Sequence, residues 1–166
     1  MLVSLGSLLL DLTIAPHGQL RLEDDQEASI SLAGGGQAAN FCAWAAALGE
    51  RARLVTRIGD DEAGRRLVAE IESGGVEVRA VVGPGRTDAV AVLVGESGDR
   101  AFARQIDTSK MLRAEDLQPE WFAGTRLLHL PGYSLFWEPI AGASRRAVSL
   151  ARAEDAVISI DLSSPA

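Results

Sequence analysis

The order of apolar runs is what most constrains this chain. Leu2 to Leu12, Ala52 to Ile58, Val76 to Val82, Arg126 to Leu130 and Ala156 to Leu162 carry the largely aliphatic character of strands buried on both faces. Helical patterns stand between them, at Ala38 to Leu48, about Asp61 to Ser73, and Glu138 to Arg152. Parallel neighbours need a crossover, and the crossover is usually a helix. The alternation therefore predicts an α/β fold: a Rossmann-like parallel sheet flanked by helices.

Two stretches do not fit that sheet. Ala28 to Leu32 alternates apolar and polar residues, as a half-exposed strand does. Thr87 to Val94 and Arg100 to Gln105 flank Glu96-Ser97-Gly98-Asp99, a hairpin with its turn residues in place. These weaker strands are expected to form a small β layer beside the main sheet. The helix Ala38 to Leu48 is apolar nearly all round, which predicts a buried helix, and Gly49 supplies its C′ residue.

Composition narrows the function. The chain has 166 residues, enough for one domain with a core, and carries a formal net charge of −7. That charge argues against nucleic acid and anionic membranes as partners, since phosphate surfaces are bound through basic patches. Cys42 is the only cysteine, and His17 and His129 lack ligand spacing, so no metal site is expected. The opening MLVSLGSLLLDL has no basic leader and is too short to span a bilayer, so the cytoplasm is the expected location.

The stretch SLAGGGQAANFCAWAAALG holds two overlapping signals. Gly34-x-Gly36-x-x-Ala39 matches a loose dinucleotide fingerprint, which would make the protein an oxidoreductase. Its context is poor, because the strand before it is short and polar. Gly35-Gly36-x-x-x-Asn40 is the second signal. Adjacent glycines leave backbone N–H groups open to a polar ligand, and an amide one turn later can both donate to and accept from a hydroxyl. A purely structural turn with Asn40 satisfying a carbonyl is the competing reading. Asp11 adds weight to the ligand reading: a carboxylate at the C-terminal end of a central parallel strand would face the crevice where such folds bind ligands. It could accept two hydrogen bonds from neighbouring hydroxyls.

In this order the motifs resemble those of the ribokinase-like carbohydrate kinases, the PfkB group. The resemblance rests on Gly6-Ser7 with Asp11, Gly35-Gly36 with Asn40, Leu48-Gly49, and Gly59-x-Asp61-x-x-Gly64, and it covers essentially the whole chain. It implies the N-terminal part of a ribokinase-like domain over residues 1–166, with lid segments at about 12–33 and 87–105. It implies an ATP-dependent kinase acting on a sugar hydroxyl, with Asp11, Gly35, Gly36 and Asn40 as substrate-binding residues. Gly59, Asp61 and Gly64 are expected to be structural. Phe102 is a candidate cover for the sugar's apolar face, and Asp161 a candidate neighbour of the crevice. Exposed lid strands would allow a homodimer.

The departures are informative. Leu9 stands where ribokinases have an asparagine, and Gln37 where they have a lysine, which counts against ribose. The family's phosphoryl-transfer motif, D-T-x-G-A-G-D, occurs nowhere in the sequence, so no catalytic residue is assigned. ATP and Mg2+ are expected for a complete enzyme. The chain ends at Ser163-Ser164-Pro165-Ala166, just past an apolar strand with no covering helix. An incomplete ribokinase-like fold, lacking its nucleotide-binding half and inactive alone, is the expectation. A non-catalytic sugar-binding or regulatory module is the alternative.

Overall fold

The computed structural model describes residues 1–21 and 25–162. Part of the acidic stretch Gln19 to Asp25, and the terminal Ser163 to Ala166, lie outside the described residues.

Five strands form the main sheet: β1 (Leu2–Leu5), β4 (Ala52–Gly59), β5 (Glu77–Gly83), β8 (Leu127–Pro131) and β9 (Val157–Asp161). Their order is β5-β4-β1-β8-β9, and every pairing is parallel. Helices α1 (Gln37–Ala47) and α2 (Glu62–Ser73) cover one face, and α3 (Ile140–Arg152) covers the other with the short 3-10 turns between Ser109 and Phe122. The strand period divides the two cores. Val55 packs with Leu128, Leu130 and the alanines of α3, while its neighbour Leu54 packs with Ala38, Cys42 and Leu67. The α/β fold with helices on both faces is thus as the apolar runs predict.

A second sheet carries β2 (Leu9–Pro16), β3 (Ala28–Gly35), β6 (Ala89–Val94) and β7 (Arg100–Gln105) in the order β3-β2-β6-β7. Here the expectation of one central strand from Leu2 to Leu12 is corrected. The run breaks between Leu5 and Leu9, and its second part crosses into the other sheet. Gly6 sits at the break, where a side chain would press on Ala38 Cβ at 3.0 Å and Pro131 Cγ at 3.4 Å. Asp11 therefore belongs to the second sheet, and not to the end of a central parallel strand.

Two smaller corrections concern the glycine run and its helix. Gly34 and Gly35 finish β3, and only Gly36, at φ 105°, turns the chain into α1. Helix α1 buries one face through Ala38, Ala39, Cys42 and Ala45, while Trp44 is 71% exposed. Its apolar outer face made the helix look buried all round. The end signals behave as expected: Gly49 follows the helix at φ 87°, and Asp61 caps α2 by accepting from the Gly64 N–H at 2.8 Å.

Candidate functional site

A cavity of about 830 Å3 opens between the C-terminal ends of the main sheet and the second sheet. Gly6, Ser7, Gly36 and Gln37 form its floor, with Pro131, Tyr133 and Trp137 on one side. Leu9, Val90 and Arg104 reach it from the second sheet, followed by the loop carrying Asp107 and Lys110. Its size suits a small-molecule ligand.

Asp11 is not among the residues lining the cavity, but register puts it on the strand face that reaches it. Leu9 and Asp11 are two apart on β2 and so share a face, and Leu9 lines the cavity. Asp11 pairs with Val90, another lining residue. Its carboxylate lies against the α-carbon of Gly35, where a side chain would overlap it. Burial pushes the Asp11 carboxyl above the usual aspartate range, and no positive charge or donor among the described residues offsets it. A half-buried carboxylate left without a partner is poised for a ligand donor.

Gly36 lines the cavity, and a side chain there would run into the Ser7 carbonyl. Asn40 does not line this cavity. It is exposed on α1, and its surroundings are a second cavity of about 280 Å3 shared with Gly34, Leu67 and Glu70. The structure thus brings Asp11, Gly35 and Gly36 together and sets Asn40 apart, at the second cavity.

Gln37 donates through Nε2 to Asp161 Oδ2 at 2.6 Å, which ties the start of α1 to the end of β9. Behind that pair His129 stacks on Phe41, ring centres 4.2 Å apart, and burial holds its imidazole below the usual histidine range while Asp161 pulls the other way. Cys42 is buried, its thiol pushed up to about 12 by burial, and it has no reactive character. Phe102 is 61% exposed and does not line the cavity. Tyr133 and Trp137 do, with parallel rings 6.3 Å apart.

Two carboxylate networks brace the chain where it enters and leaves the second sheet. Asp61 accepts from the Thr87 N–H at 2.8 Å and the Thr87 hydroxyl at 2.6 Å, and that hydroxyl accepts from the Gly59 N–H at 3.1 Å. Asp88, 1% exposed, accepts from the N–H groups of Asp107 and Thr108, both at 2.8 Å, and of Ser109 at 3.2 Å. Gly59, Asp61 and Gly64 are accordingly a turn and a helix start. Gly64 leaves no room for a side chain, whose Cβ would stand 2.5 Å from Thr87 Oγ1.

Sequence reading missed Arg104, Lys110, Tyr133 and Trp137. Arg104 stands two residues after Phe102 on the same face of a recognised hairpin. Its position over the cavity follows only from the pairing of β6 with β2, which joins residues about eighty apart in sequence.

Comparison with known proteins places this arrangement, an α/β sheet with a small second sheet over a cavity, in a known family. The family model for pfkB family carbohydrate kinases matches residues 1–165. The chain belongs to the pfkB family of carbohydrate kinases. It is 31% identical over 165 residues to fructokinase-1 of Zea mays, covering 97% of this chain and 50% of that one. A 2-dehydro-3-deoxygluconokinase of Thermoproteus tenax is 30% identical over 69% of this chain and 39% of its own. Among solved structures, an Escherichia coli protein described as a ribokinase II, in complex with ATP and Mg2+, aligns with TM-score 0.87 at 23% identity. That alignment covers 99% of this chain and 53% of that one. The chain spans about half the length of the curated relatives it matches.

Proposed function

We propose that this chain is the sugar-recognition part of an ATP-dependent kinase that phosphorylates a sugar hydroxyl. The observation that carries the reading is the Asp11 carboxylate, half-buried and unpartnered among the described residues, set against Gly35 on the face that lines the cavity. Asp11 takes a pair of sugar hydroxyls, and the open backbone at Gly35 and Gly36 lets the ring approach closely. Tyr133 and Trp137 offer aromatic surface to its apolar face. Asn40, exposed on α1 and outside the cavity, is left out of this set.

Relatives named for fructose and for 2-dehydro-3-deoxygluconate support a hexose-sized substrate. The residues at hand do not fit ATP and Mg2+. Among the described residues no three His, Cys, Asp or Glu stand close enough to hold a metal, and the sequence has no D-T-x-G-A-G-D segment. Transfer needs charge stabilisation at the phosphate and a positioned base, so no chemical step is assigned to this chain. No residue of this chain is assigned to the nucleotide, and residues 12–21, 25–33 and 87–105 supply the lid. Association of two copies through the exposed edges of β3 and β7 belongs to the same reading. So does a cytoplasmic location, and among the described residues no helix is long and apolar enough to cross a membrane.

Titration calorimetry of the chain with hexoses, without nucleotide, tests the proposal. Binding that Asp11→Asn weakens at least about tenfold supports it. Binding indifferent to Asp11 sinks it. A phosphorylation assay then separates the alternatives: the chain alone should give no sugar phosphate from ATP, whereas a reading frame extended through a D-T-x-G-A-G-D segment should.

A further inference from the structure

The smaller cavity, of about 280 Å3, is a groove between α1 and α2 that the reading above does not use. Gly34 and Gly35 are successive strand residues, so their α-carbons face opposite ways: Gly35 towards Asp11, Gly34 towards Leu67 and Glu70. The groove therefore lies behind the glycine strand, away from the larger cavity. Leu8, Leu67 and Val76, all buried, give it an apolar bottom. Asn40 and Glu70 are the two polar side chains that line it, and both are exposed at its rim.

The electrostatics of the groove have one sign. Glu70 is the only charged residue that lines it. Its carboxylate makes no hydrogen bond or ion pair among the described residues, and Arg66, one turn earlier on α2, makes no pair with it. The Asn40 amide is equally without a partner there, and its oxygen can accept. Ala47 and Ile71, both lining residues, lie in the last turns of α1 and α2, and neither last turn holds a basic residue. A helix C-terminus carries negative partial charge, so two of them beside Glu70 make a negative rim that no lining cation balances.

We propose that this groove binds a small organic cation: a short aliphatic amine whose ammonium meets Glu70 and the Asn40 oxygen while its carbon chain lies on Leu8, Leu67 and Val76. An ammonium carries three donors and no acceptor, which matches a carboxylate and a carbonyl oxygen. Other classes fit worse. An anion would meet Glu70 and both helix ends. A metal ion needs several oxygen or nitrogen ligands, and among the described residues no three His, Cys, Asp or Glu gather. A neutral sugar would set hydroxyls against the apolar bottom. The inference does not depend on the sugar-site reading of Asp11.

The test is an NMR titration of the nitrogen-15-labelled chain with n-butylamine at neutral pH, with n-butanol and butyrate as its uncharged and anionic counterparts. Saturable shifts at the Gly34, Asn40 and Gly74 amides are expected for the amine. It should bind about fivefold tighter than butanol, by a margin that shrinks as salt rises. Glu70→Gln should remove that margin and leave the butanol response unchanged. Ala43→Leu should fill the groove and abolish both responses; Ala43 is exposed, so this variant should stay folded, which melting confirms. Equal or tighter binding of the alcohol or the acid overturns the cation site. So does amine binding that Glu70→Gln does not weaken, or shifts centred on Asp11 instead. A flat titration with all three probes overturns the groove as a site. Hexose binding at Asp11 stands or falls separately from each of these results.

Discussion

The α-carbon of Gly35 lies against the carboxylate of Asp11, leaving no room for even a methyl group between them. The two residues sit on adjacent antiparallel strands, Gly35 opposite Leu9 and Asp11 opposite Ala33, so their contact is a diagonal neighbour pair. Gly35 is a strand residue with no positive φ, and its backbone would accept any side chain. The requirement for glycine is entirely the carboxylate.

A first prediction follows for the glycine pair. Gly35→Ala should push the Asp11 carboxylate aside and lower sugar affinity at least about tenfold with little loss of stability. Gly36→Ala should behave differently. Gly36 combines φ 105° with a backbone packed on the Ser7 carbonyl, so alanine there should cost about 2 kcal/mol of folding free energy. Paired melting and calorimetry of the two variants check the contrast. Equal destabilisation by both would contradict it.

Asp11 itself should show opposed effects on stability and binding. Burial raises its folded pKa, so the folded state takes up its proton more readily than the unfolded chain does. The protonated form favours folding at low pH, and that advantage is lost as pH rises through the folded pKa. At neutral pH the ion is held at a cost, which Asp11→Asn removes. The variant should melt higher than the parent at pH 7 and bind sugar more weakly. A lower melting temperature with unchanged binding would make Asp11 a structural residue.

These residues also mark where sequence reading stops. The aliphatic runs of β1, β4, β5, β8 and β9 declared the main sheet, because burial on both faces leaves little room for polar residues. The glycines and Asp61 declared helix ends through local backbone chemistry. Asp11 was singled out as a crevice residue at the end of a central strand, and the structure sets it on the other sheet. The crossing between Leu5 and Leu9 depends on how Gly6 packs against Ala38 and Pro131, contacts far apart in sequence. The exposure of Trp44 and the placement of Arg104 were equally out of reach. Composition does not report which apolar face finds a partner, nor which strand a hairpin joins.

The Asp61–Thr87 pair should be a hinge point of stability. Asp61 caps α2 and also holds Thr87, just ahead of β6. Burial works to raise its pKa, but the Thr87 hydroxyl, the Gly64 and Thr87 N–H groups and nearby Arg65 outweigh it, and the carboxyl titrates below the usual range. Asp61→Ala should cost about 2 kcal/mol, the upper end for a lost cap, because the Thr87 contacts go with it. Added to Asp61→Ala, Thr87→Val should cost less than it does alone, since the two effects overlap. Urea unfolding of the single and double variants measures the coupling, and strict additivity would show the two residues to be independent.

His129 and Asp61 should together set the response to acid, in two separable steps. The folded pKa of His129 is lowered by burial, against the opposing pull of Asp161, so the folded state holds the neutral ring that stacks on Phe41. Its contribution is fully present above its ordinary value, about 6.5, and is lost as pH falls below that value towards the folded pKa. Asp61 is likewise lowered, so its contribution persists through that range and fades only as pH falls below the ordinary aspartate value, about 3.9. Stability measured against pH should therefore fall first just below neutrality and again near pH 4. His129→Gln should flatten the upper step and leave the lower one, while Asp61→Asn should do the reverse. A single transition that neither substitution shifts would mean that other carboxylates govern unfolding in acid.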